Sequence, residues 1–130
     1  MNFADTIKHD DWKHEKHVPV IELPVEIKAG ESFQVTVSVG KEIPHPNTTE
    51  HHIQWIDVYF KPEGGKFIHQ VGHFDFVAHA ESVQGPNEGS VLANPIVTLD
   101  MTVKEAGTLI ALEYCNIHGV WENTAEIVLR

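Results

Sequence analysis

The chain is 130 residues long with 42% hydrophobic side chains, enough for one domain with its own core and too apolar for a disordered tail. Nine basic against nineteen acidic residues give a formal charge of −10, which argues against nucleic acid and anionic membrane surfaces as partners. No apolar run approaches the roughly 18–20 residues of a membrane span, no basic and then apolar leader is visible, and a single cysteine rules out an intrachain disulfide, so a cytoplasmic protein is expected.

Residues 1–16 are polar and weakly patterned, with a charged run from His9 to Lys16; they read as a surface segment with a short helical turn near residues 3–7. Pro19 and Pro24 bracket a short strand at 20–23, placed at a sheet edge because proline is not tolerated in sheet centres. After a turn at Ala29-Gly30-Glu31, residues 33–39 alternate apolar and polar side chains, the pattern of a half-buried strand that Gly40 ends. Residues 41–49 contain Pro44 and Pro46 and are irregular. The next strand, 53–60, puts Ile56, Val58 and Phe60 on one face and Trp55 and Tyr59 on the other. A turn at Pro62-Glu63-Gly64-Gly65 precedes a strand region over 67–80, and residues 84–90 form a loop. Alternation resumes at 97–103; Glu105-Ala106-Gly107 then turns the chain into a strand at 108–114. A loop at 115–119 leads to a last strand at 125–129. No segment has a helical period, and there is no repeat, low-complexity segment or linker. The expectation is a single all-β domain over 1–130, an antiparallel sandwich of about seven strands, immunoglobulin-like in form.

Three stretches carry metal-ligand chemistry. His45 and His51 flank a proline-interrupted loop, His17 precedes Pro19, and Cys115 stands three residues before His118 in a turn that ends in Gly119. All lie in loops or at strand ends, where a sandwich can bring distant residues together. His52 follows His51, and neighbours in extended chain face opposite ways, so at most one of the two points at a given centre. His9, His14, His69, His73 and His79 read as surface or satisfied side chains, and Cys115 taken alone reads as a small buried apolar residue. Zinc is the commonest occupant of Cys/His sites, but a structural zinc is usually four-coordinate and closed. Five ligands instead suit an iron with one open octahedral position, and a thiolate opposite that position would donate electron density to whatever binds there.

Glu15-Lys16-His17-Val18-Pro19, the run from His45 to Ile53, and Cys115-Asn116-Ile117-His118-Gly119 together resemble the superoxide reductase family, also called neelaredoxin, over nearly the whole chain. The resemblance implies an immunoglobulin-like sandwich carrying a mononuclear non-haem iron with four equatorial histidines, His17, His45, His51 and His118, and an axial Cys115; His52 would not ligate. The two-iron branch, desulfoferrodoxin, adds a module with four more cysteines, so a chain with one cysteine resembles the one-iron branch. The implied reaction takes superoxide to hydrogen peroxide with one electron and two protons. Lys16 would supply the local cation that an acidic surface lacks, and Glu15 would close onto the ferric iron; without the motif both read as a solvated pair. Family partners are a rubredoxin-like electron donor and further copies of the chain, as dimer or tetramer. The rival reading is a β-sandwich binding module with a structural metal and no turnover.

Overall fold

The two-residue period of residues 33–39 becomes the middle strand of one sheet. The computed structural model describes all residues 1–130. In it, β1 (Val20–Glu22), β2 (Ser32–Ser38) and β5 (Ile96–Thr102) form an antiparallel sheet in the order β1-β2-β5. A second antiparallel sheet runs β4-β3-β6-β7, from β4 (His69–Asp75), β3 (Ile53–Pro62), β6 (Gly107–Cys115) and β7 (Gly119–Ile127). Val35 and Val37 of the first sheet pack against Ile56, Val58, Leu109 and Ala111 of the second, all fully buried, so the facing sides make one core. This is the expected immunoglobulin-like sandwich, with β1 at an edge as its flanking prolines require. The helical turn near the N-terminus is a 3-10 turn, Phe3–Thr6.

Two boundaries differ from the sequence reading. The last strand begins at Gly119 rather than 125, and ends at Ile127. Residues 119–123 lack apolar–polar alternation because they are half-buried on both faces. Hydrogen bonds define this strand instead: it pairs with β6 on one side, and on the other Lys8 N–H donates to Val120 O at 3.0 Å while Glu122 N–H donates to Lys8 O at 2.8 Å. The strand region expected over 67–80 is confined to His69–Asp75. Phe76 N–H still reaches Gln54 O at 2.9 Å, but the chain then leaves the sheet, with Ala80 at φ +62°.

The register gathers the sandwich's chemistry at one end. Val20 pairs with Ser38, Ile53 with Cys115, and Cys115 with Gly119. The start of β1, the end of β2, the start of β3 and the β6–β7 turn are therefore neighbours. Those are the points at which His17, the His45–His51 loop and the Cys115–His118 turn leave the sheets.

Candidate metal centre

Each of the three stretches is held by named contacts. The His17 segment is tied to β7 from both sides, upstream through Lys8 and downstream where Asn123 Nδ2 donates to Pro19 O at 2.8 Å. The buried His17 ring stacks on Trp121, with centroids 5.0 Å apart and planes 15° apart. The histidine loop depends on Gly40: its φ is +89°, and a Cβ there would stand 2.8 Å from the His45 nitrogen. Further on, Thr48 and His51 exchange backbone hydrogen bonds of 2.9 and 3.3 Å and close a turn. Asn116 then knits this loop to the cysteine turn. Its Oδ1 accepts from His52 N–H at 2.9 Å, its Nδ2 donates to Glu50 O at 2.9 Å, and its N–H donates to His52 O at 3.2 Å.

Ligand atoms of His17, His45, His51 and Cys115 all lie within 4.8 Å of one another. His118 joins them from the exposed side: its Nδ1 stands 3.2 Å from His17 Nε2 and 3.8 Å from Cys115 Sγ. The proton positions favour ligation. His45 Nδ1–H donates to Pro46 O at 2.6 Å, which leaves a lone pair on Nε2, and that buried nitrogen has no partner. His51 Nε2 is equally buried and unpartnered. His17 Nδ1–H donates to Glu15 Oε1 at 2.6 Å, so its Nε2 also presents a lone pair. Buried polar atoms left without partners are destabilising, and here they converge on the fully buried Cys115 sulfur. A cation at the convergence point satisfies all of them. A thiol with several imidazoles is the donor set of a soft to borderline transition metal, so the residues present fit an iron.

Burial favours the neutral form of three of the imidazoles, the form that ligation requires. Burial lowers the pKa of His45 to about 4. Burial is also the main cause of the lowering at His51 and at His17, where the Glu15 carboxylate works against it. Burial pushes the Cys115 thiol up, while the N–H groups of His118 and Ile117 pull it down; His118 N–H lies 3.4 Å from the sulfur. A bound cation would decide that balance in favour of thiolate. The Lys16 charge lowers the pKa of His17, His45, His51 and Cys115 alike, so its field reaches these four groups. A cavity of about 400 Å³, lined by Glu15, Lys16, His17, Ile43, His118 and Trp121, opens the cluster to solvent.

All five ligand candidates and the Glu15-Lys16 pair thus meet at one place. His52 turns away: its Nδ1 lies 2.8 Å from Thr48 O and its Nε2 2.9 Å from Gln54 Oε1. His9, His14, His69 and His73 are exposed, whereas His79 is buried with both ring nitrogens hydrogen-bonded. Three neighbours escaped the sequence reading. Trp121 covers His17 and donates from Nε1 to His118 O at 3.2 Å. Asn116 binds the two ligand turns together. Glu113 is wholly buried and its carboxyl has no partner. Alternation with Leu109, Ala111 and Cys115 was the available signal for Glu113.

The desulfoferrodoxin family model matches residues 9–124. A superoxide reductase of Pyrococcus furiosus is 58% identical over 120 residues, covering 92% of this chain and 94% of that protein. Neelaredoxin of Megalodesulfovibrio gigas is 53% identical over 130 residues, covering 100% of both chains. The solved structure of reduced superoxide reductase (neelaredoxin) from Archaeoglobus fulgidus superposes with a TM-score of 0.89 at 50% identity, covering 95% of this chain and 99% of that one.

Proposed function

We propose roles for these residues from one premise: the chain belongs to the desulfoferrodoxin family. It is a superoxide reductase, an oxidoreductase built around a mononuclear iron site. The observation that carries this reading is the convergence of unpartnered histidine nitrogens on a fully buried cysteine sulfur, beside the one lysine whose field covers them all.

His17, His45, His51 and His118 would hold the metal through imidazole nitrogens, and Cys115 would hold it as thiolate. When bound, the iron supplies one electron to superoxide, which with two protons becomes hydrogen peroxide. The Lys16 ammonium draws the superoxide anion into the cavity against the repulsion of a chain with a net charge of −10. Its N–H groups then serve as donors to the charged oxygen. Glu15 takes the Nδ1–H of His17, and its Oε1 also accepts the His17 backbone N–H at 2.9 Å. That carboxylate fixes the tautomer and orientation of the ring and raises its basicity. Glu15 would serve in addition as a ligand of the oxidised iron, its Oε2 making neither of these bonds. Trp121 shields one face of His17 from water.

The chain works as a single unit over residues 1–130, in the cytoplasm, with a rubredoxin-like one-electron donor. It assembles as a homo-oligomer, dimer or tetramer, for which the free edge of β1 offers backbone pairing. No helix is long and apolar enough to cross a membrane.

A known pulse of superoxide given to the iron-loaded, reduced protein tests the reaction. One peroxide per superoxide with no oxygen evolved is expected. Equal peroxide and oxygen would mean dismutation, and consumption at the background rate would leave a metal-binding module without turnover. The variant Lys16→Ala is expected to slow the superoxide reaction roughly tenfold and flatten its ionic-strength dependence, with iron content unchanged. An unchanged rate in stopped flow would remove Lys16 from the mechanism.

A further inference from the structure

The segment between β4 and β5, residues 76–95, is long for a connection without regular structure, and its contacts are concentrated on the histidine loop. Thr49 Oγ1 donates to His79 O at 2.9 Å, Thr49 N–H donates to Asn87 Oδ1 at 2.7 Å, and Asn87 Nδ2 donates to Glu50 Oε1 at 2.7 Å. Asn47, two residues after His45 in the loop, is gripped twice: its Nδ2 donates to Ala93 O at 3.0 Å, and its carboxamide oxygen meets His79 Nδ1 at 2.8 Å.

His79 is the centre of this bracing. It is 3% exposed. Its Nε2 meets Phe76 O at 2.8 Å, and its backbone N–H donates to Glu81 Oε1 at 2.7 Å, so its own segment holds both backbone and ring. The ring then does two things to the histidine loop. It grips Asn47, and it stacks face to face on His52, with centroids 3.4 Å apart and planes 5° apart. His52 in turn meets Thr48 O with its Nδ1 at 2.8 Å. Two adjacent buried imidazoles, neither of them a proposed ligand, thus hold Asn47 and Thr48, between His45 and His51, and His52, which follows His51.

We infer that His79 is a positioning residue for the iron site: through Asn47 and His52 it holds the His45–His51 loop in the geometry that ligation needs. It touches neither the metal ligands nor the substrate cavity. The inference rests on the ligand set proposed above. The physical argument is pre-organisation. Two of the five ligands ride on a proline-containing loop whose fluctuations would misplace lone pairs, and partners outside the ligand sphere typically change metal affinity by roughly 10–100-fold.

The test compares iron-loaded His79→Phe, which keeps a flat ring against His52 and loses both ring hydrogen bonds, with His79→Gln, whose amide can still reach Asn47. Expected is loss of iron to a strong chelator about tenfold faster in the Phe variant, with an altered ferric electron paramagnetic resonance signal, and near-parental behaviour in the Gln variant. Asn47→Ala, which leaves the His79 stack untouched, is expected to reproduce the faster release and guards against a Phe variant that does not fold. The inference is overturned if release and resonance are parental in the variants that fold, whatever their melting temperatures, or if Gln behaves as Phe does. The thiolate-to-iron band of the unmodified protein checks the ligand set on its own, so failure of the bracing and failure of the site give different results.

Discussion

Replacing Cys115 with Ser is expected to abolish the visible thiolate-to-iron absorption and nearly all superoxide reduction. Cys115 closes β6 and has no solvent exposure. Its sulfur is the one soft donor among the proposed ligands, and the His118 N–H at 3.4 Å is aimed at it. A serine hydroxyl fits the space but stays protonated under conditions in which a metal-bound thiol ionises. The electron density that a thiolate pushes through the metal is therefore lost, as it would be in thiolate-ligated haem. The fall in rate should exceed the roughly 10–100-fold that loss of an outer-sphere partner brings. Absorption spectra and superoxide kinetics, normalised to iron content, measure both effects. A variant that keeps the band would show that the sulfur is not a ligand.

Much of this site is legible in the sequence, for reasons that particular residues make plain. The ligands sit in loops or, for Cys115, at a strand end, near Pro19, Pro44, Pro46 and Gly119, where strand alternation fails and histidine and cysteine stand out. Strands 33–39, 53–60 and 97–103 show their period because one face of each is core. β7 is half hidden because residues 119–123 are intermediate on both faces and gain their order from hydrogen bonds with β6 and Lys8, which leave no hydrophobic period. Trp121 and Asn116, and the partner of the satisfied His79, are not legible for a different reason. Their partners are 104, 64 and 32 residues away in sequence, as Trp121 with His17, Asn116 with His52 and His79 with Asn47 show. Only the register of the sheets brings those pairs together.

Glu113 should make the protein's stability fall as pH rises. Leu109, Ala111, Glu113 and Cys115 alternate onto the inner face of β6, and all four are fully buried. Neither carboxyl oxygen of Glu113 has a hydrogen-bond partner, and no contact explains a carboxyl here in place of an amide or an apolar group. Burial first, and the Glu15 charge second, push its pKa up to about 9, so it is a neutral acid at pH 7. In the unfolded chain the same group ionises near its ordinary value of 4.5. Between those values the native state holds a proton that the unfolded state has released. Stability is therefore full below the lower value and declines as pH rises through the folded pKa, by up to about 1.4 kcal/mol per pH unit from this group. Glu113→Gln keeps the shape and removes the proton. The variant should match the parent near pH 5 and exceed it at pH 8 by on the order of a few kcal/mol. Urea unfolding of the metal-free parent and variant from pH 5 to pH 9 separates the cases. Diverging profiles place a buried neutral acid beside the cysteine ligand, and parallel profiles would mean that Glu113 ionises in the folded protein as it does in water.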